Sequence, residues 1–292
     1  MKIILASERG FCTGVRHAVE LAEQLAAEEN SPVFVLHELV HNRSAVRLLE
    51  EKNIHVVSSP AGLPLNARLI FSAHGISRAG EEEARALPLR ITDATCPHVK
   101  HIHRVAAGED AAGRIVLLAG KKGHREVDGI LGRIPSGQVI LLESPRDAEI
   151  FRAEEGKKYS LLSQTTFLQT NFEEMARILS AKITDLKCLP TICPVTLRRQ
   201  EQVRLLAAEC SCVVVAGSPE SSNARRLCEA AREEGAESFL ADSSTTLPGH
   251  LAEIRGSIGL ISGASTSGEE VKTILDRLLA LPGAEYGGEF TL

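Results

Sequence analysis

Short apolar runs rich in Val, Ile and Leu alternate with amphipathic stretches along the chain. They are KIILA at 2–6, PVFVLH at 32–37, RLIFSAH at 68–74, RIVLLAG at 114–120, SLLSQ at 160–164, CVVVAGS at 212–218 and SIGLISG at 257–263. Consecutive rather than alternating apolar positions predict strands covered on both faces, and their interleaving with helical periodicity predicts parallel sheets joined by crossover helices. The expected fold class is α/β with mainly parallel sheets.

One order of features occurs three times. Each round opens with a cysteine before an amphipathic helix: GFCTGV at Cys12, DATCPH at Cys96 and TICPVT at Cys193. A strand, a polar loop and a second helix follow, with His41, His124 or Ser221 in the loop 28 or 29 residues after the cysteine. A further strand then ends near His74, Thr165 or Ser265. A repeat of about 90 residues is too long for a solenoid and predicts three small α/β domains related by approximate threefold symmetry. Their expected bounds are 1–95, 96–191 and 192–292. Ligands of open parallel sheets sit beyond the carboxyl ends of the strands, so the nine marked positions are expected to face a central cavity.

Composition narrows the chemistry. The 292 residues are 43% hydrophobic, and no apolar run approaches the ~18 residues of a membrane span, nor does the start read as a signal peptide. Seven cysteines without dense spacing fit reduced thiols or metal ligands better than a disulfide framework, which places the chain in the cytoplasm. A net charge of -5, eight Phe, two Tyr and no Trp supply neither the basic stripe nor the stacking platform of a nucleic-acid binder.

Three matched thiolates are soft ligands, and without a fourth they suit an iron-sulfur cluster with one open iron. Cys210, Cys212 and Cys228 read as packing residues and Cys188 as a structural thiol, although Cys188 could in principle close the site. His41, His74 and His124 are placed to donate to an anion, whereas His55, His98, His101, His103 and His250 read as ordinary surface positions. Ser221, Ser222 and Asn223 stand at a helix start, where free N–H groups and the dipole favour phosphate. Glu126 is the carboxylate among the marked loops and suits a proton donor, with Thr165 as relay.

GFCTGV, HELVHN, FSAHG, DATCP, GHREVDG, SQTT, TIC, SSN and GAS together resemble the 4-hydroxy-3-methylbut-2-enyl diphosphate reductase family, through nearly the whole chain. The resemblance implies three α/β domains around a 4Fe-4S cluster on Cys12, Cys96 and Cys193. It also implies diphosphate binding by His41, His74, His124, Ser221, Ser222, Asn223 and Ser265, and proton delivery by Glu126 with Thr165. The implied reaction of isoprene biosynthesis takes electrons from a ferredoxin or flavodoxin, and the chain carries no GxGxxG nucleotide fingerprint of its own. His17, Arg125, Pro194, Arg198 and Arg225 depart from the family pattern; loss of a proline at 125 is expected to loosen the loop that aims Glu126. Three other readings stay open: a diverged reductase with another small substrate, a noncatalytic cluster sensor or electron carrier, and a zinc site of three thiolates and one histidine.

Overall fold

A computed structural model describes residues 1–29, 31–40 and 43–291. In chain order its elements are β1 (Lys2–Ala6), α1 (Thr13–Glu29), β2 (Val33–Leu36), α2 (Arg43–Glu51), β3 (Ile54–Val57), β4 (Arg68–Phe71), α3 (Arg78–Arg85) and β5 (Arg90–Asp93). The middle of the chain forms α4 (Pro97–Ala111), β6 (Ile115–Ala119), α5 (Arg125–Leu131), β7 (Val139–Leu142), α6 (Pro145–Ile150), β8 (Tyr159–Ser163), α7 (Gln169–Ser180) and β9 (Leu186–Cys188). Then come α8 (Pro194–Glu209), β10 (Cys212–Ala216), α9 (Ser222–Glu233), β11 (Glu237–Ala241), β12 (Ser257–Ser262), α10 (Gly268–Leu279) and β13 (Glu285–Phe290).

The strands form three parallel sheets, as the apolar runs predict: β3-β2-β4-β5, β7-β6-β8-β9 and β11-β10-β12-β1-β13. The first two orders are the same pattern one repeat apart. The third continues it, with one substitution: the place that β5 and β9 hold in their sheets is taken by β1. The sequence reading put residues 2–6 in the first domain, but β1 pairs with β12 on one side and β13 on the other. Its run KIILA buries Ile3, Leu5 and Ala6, which needs cover on both faces and a partner at each edge. Each sheet is thus completed by the strand that leads directly into the next cysteine. The segment after α10 is the edge strand β13.

Two compact units emerge. One comprises Met1–Arg16, Val40–Leu48 and Pro194–Leu292, and holds the third sheet; the other comprises His17–Leu39 and Leu49–Cys193, and holds the first two. In the former, Ile3, Val214, Leu260 and Ile274 belong to one core. In the latter, Leu69 and Phe71 lie in the core of the first sheet, and Val116, Leu118 and Leu162 in that of the second. At about 1.5 to 3 kcal/mol for each such side chain, these cores dominate the favourable side of folding. No helix among the described residues is long and apolar enough to cross a membrane.

Candidate functional site

The three cysteines share one local geometry. Each lies in the turn between a strand, β1, β5 or β9, and the following helix, and each backbone N–H donates to a carbonyl in the loop after the neighbouring strand of the same sheet, β12, β4 or β8. Cys96 N reaches Ala73 O at 3.1 Å, Cys193 N reaches Thr165 O at 3.0 Å, and Cys12 N reaches Ala264 O at 3.0 Å. The loops so reached carry His74, Thr165 and Ser265. Pro97 and Pro194 both take the first helical position, where a missing N–H costs nothing, so Pro194 repeats in the third round what Pro97 does in the second. None of the seven cysteines is in a disulfide; Cys12, Cys96 and Cys193 are half-buried and Cys188 is exposed on β9. Cys210, Cys212 and Cys228 are buried, and burial pushes their thiols up to about 11, 12 and 11, which keeps them protonated and inert. Among the described residues no three His, Cys, Asp or Glu side chains gather tightly enough for a single metal ion.

The unit with the first two sheets brings His74, His124, Glu126 and Thr165 together. His124 caps α5, its Nδ1 accepting the Glu126 N–H at 3.2 Å. That bond leaves the imidazole proton on Nε2. The His74 and His124 rings meet edge to face, with centroids 6.0 Å apart. Glu126, 2% exposed, accepts the Thr165 N–H on Oε1 at 2.5 Å and the Thr165 hydroxyl on Oε2 at 2.6 Å. Burial pushes its carboxyl up to about 7 against the opposing pull of both Thr165 donors. A carboxyl poised there is protonated or ionised with little bias at neutral pH, as a proton donor requires. Arg125 occupies the first position of α5, and Glu126 stays aimed by both its oxygens. Without a proline at 125, the cap and the threonine bonds are what hold Glu126 in this position.

His103 was misassigned in the sequence. It is 8% exposed on α4, and burial, reinforced by Arg133, pushes its imidazole down to about 4. A Cβ on Gly75 would come within 3.0 Å of its ring, and one on Gly129 within 3.1 Å. Gly75 follows His74 at φ +78°, and Gly129 lies one turn after Glu126, so His103 fills the space under both. An internal histidine on a helix face carries no sequence mark separating it from exposed His98 and His101 one turn away. A cavity of about 630 Å³, lined by Thr95, Pro97, His103 and exposed His17, opens beside the Cys96 turn.

The other unit holds Cys12, Ser221, Ser222, Asn223 and Ser265. Ser221 caps α9 by accepting the Ala224 N–H at 3.3 Å, and its hydroxyl lies 3.2 Å from that of Ser265. Gly217 lets this helix start approach the strand ends, since a Cβ there would meet the Ala224 methyl at 2.8 Å. Asn223, 4% exposed, accepts the Ala264 N–H on Oδ1 at 3.0 Å, while its Nδ2 is buried without a partner. A buried amide donor without a partner stands beside the Ser221 hydroxyl at a helix N-terminus, a set that an anionic group would complete. Arg198 pairs with Glu8 at 3.0 Å on an exposed face, and the Arg225 Nε is buried without a partner. His41 lies outside the described residues.

A three-sheet α/β protein with a buried acid beside two histidines, and a buried, unpartnered amide donor at a helix start, is defined by these features. The chain belongs to the LytB protein family, whose model matches residues 3–279. It is 36% identical over 275 residues to a 4-hydroxy-3-methylbut-2-enyl diphosphate reductase of Neisseria gonorrhoeae, covering 94% of this chain and 85% of that one. It is 37% identical over 289 residues to a reductase of the same name from Edwardsiella ictaluri, covering 97% and 91%. Among solved structures, the E-1-hydroxy-2-methyl-but-2-enyl-4-diphosphate reductase of Plasmodium falciparum matches with a TM-score of 0.92 and 27% identity, over 100% of this chain and 92% of that one.

Proposed function

We propose that this protein reduces 4-hydroxy-3-methylbut-2-enyl diphosphate to isopentenyl and dimethylallyl diphosphate, with loss of the allylic hydroxyl as water. The observation that carries the reading is Glu126: buried, bonded on both oxygens by Thr165, and raised to about 7 beside two histidines. Removal of a hydroxyl as water needs a proton at that oxygen, and a sensor or carrier needs no such acid.

The donor set fits a 4Fe-4S cluster. Cys12, Cys96 and Cys193 are the cysteines that share one backbone bond and one place before a helix, whereas the buried thiols are held protonated. A 4Fe-4S cluster takes one soft thiolate per iron, so three such cysteines suit three of its irons. When bound, it would supply electrons and one iron without a protein ligand. Ser221, Ser222, Asn223 and Ser265 would donate to the diphosphate, joined by His41, His74 and the Nε2–H of His124. Charge-assisted bonds of about 1.5 to 3 kcal/mol each make a lysine patch unnecessary. Glu126 would give its proton to the departing hydroxyl and regain one through the Thr165 hydroxyl. The electron donor would be a ferredoxin or flavodoxin in the cytoplasm, and the three sheets would be three domains divided near residues 95 and 191, with β1 joined to the third.

Anaerobic purification, visible and Mössbauer spectra, and turnover of the substrate with a reduced one-electron mediator test this reading. A brown protein with one distinct iron that responds to the diphosphate, and formation of both products, is expected. A colourless protein, or a cluster protein that leaves the substrate untouched, would overturn it.

A further inference from the structure

Six residues after each cysteine, the first helix of each repeat buries one side chain completely. In the first two repeats it is Ala18 and Ile102, both 0% exposed; in the third it is Arg199, 2% exposed. The fold therefore asks only for an apolar residue at this point, and a guanidinium is costly to bury. Its bonds indicate what it does. Arg199 donates through NH1 to Ser262 O at 3.0 Å and through NH2 to Gly10 O at 2.7 Å. The Gly10 N–H in turn donates to the Ser262 hydroxyl at 2.8 Å, and Cys12 N to Ala264 O at 3.0 Å. One buried cation thus joins the end of β12, just before Ser265, to the turn two residues before Cys12.

We propose that Arg199 is a positioning residue that pins the Cys12 turn and the Ser265 loop into one rigid frame, and that its charge makes a cluster held by Cys12 easier to reduce. The charge effect rests on the cluster reading above; the pinning does not. On reduction the cluster gains one electron and one negative charge, with no bond made or broken, and a fixed guanidinium in a dry interior favours that state.

Two variants, R199M and R199K, test it in two measurements. Methionine keeps length and suits a site that takes Ile in the second repeat, and lysine keeps the charge without the two-pronged grip. In cluster-free protein, amide exchange of residues 7–13 should be at least tenfold faster in R199M, with the Cys96 turn as internal reference. In cluster-loaded protein, dye-mediated titration should show a more negative midpoint potential for R199M and a smaller shift for R199K. Equal exchange of residues 7–13 in R199M and the parent protein overturns the pinning. Unchanged potential in R199M, or an equal shift in R199K, overturns the role of the charge. Failure of the parent protein to hold a cluster refutes the functional reading instead, and the exchange comparison still decides the pinning.

Discussion

The polar circuits around Glu126 and Asn223, one in each unit, are built in opposite ways. Around Glu126 the circuit is closed: both carboxyl oxygens, the Thr165 N–H and hydroxyl, and the His124 Nδ1 are satisfied within the unit. Around Asn223 it is open, with one side of the amide bonded to Ala264 and the other buried without an acceptor. A closed circuit holds a reacting group in place before any ligand arrives, and an open one is completed by the ligand. On the proposed function, the closed circuit would serve proton transfer and the open one binding.

The largest effect that separates these roles is expected from Glu126→Gln. It keeps shape but removes the proton that is given up, so kcat should fall by roughly 100- to 10,000-fold while KM moves little. Steady-state kinetics decide, and a change confined to KM would place Glu126 among binding groups instead. The same variant has a stability signature. The carboxyl is raised from 4.5 to about 7 on folding, so the folded state holds its proton where the unfolded state has lost it. Its contribution is complete below about 4.5 and is lost as pH rises towards 7, about 3 kcal/mol in all. Denaturation at pH 5 and pH 8 should therefore show the parent protein losing more stability than Glu126→Gln over that interval.

The strands show what a sequence can reveal. All seven apolar runs are inner strands, β1, β2, β4, β6, β8, β10 and β12, and the six strands not foreseen, β3, β5, β7, β9, β11 and β13, are the edges of the three sheets. An inner strand must be apolar at successive positions, whereas an edge such as RITD at β5 or EYGGEF at β13 is half solvated and composed much like a loop. The helix-start positions were legible for a related reason: His124 and Ser221 recur at a fixed offset because both cap the helix after the strand second from the edge of its sheet, β6 and β10. Long-range partners were not legible. Nothing near Arg199 or His103 in the chain announces Gly10, Ser262, Gly75 or Gly129, and the membership of β1 in the last sheet depends on a pairing more than 250 residues apart.

A smaller effect is expected at the open end of the comparison. Asn223→Asp keeps the oxygen that accepts the Ala264 N–H but replaces the unpartnered donor with a second acceptor. Affinity for inorganic diphosphate, measured by calorimetry, should fall roughly 10- to 100-fold, as expected for one charge-assisted bond.

The subtlest test loosens the closed circuit without breaking it. Thr165→Val removes the hydroxyl that donates to Glu126 Oε2 but leaves the backbone N–H on Oε1. Both bonds favour the ionised carboxylate and oppose the push of burial. With one gone, the folded pKa should rise further, by about one unit for a bond of about 1.4 kcal/mol. A proton donor works in its protonated form, so the high-pH limb of kcat, near 7 in the parent protein, should move upward. Loss of the relay should at the same time lower the plateau. A plateau that falls with no movement of the limb would mean that the hydroxyl conducts protons without tuning the acid; a limb that moves with no loss of plateau would assign it the opposite role.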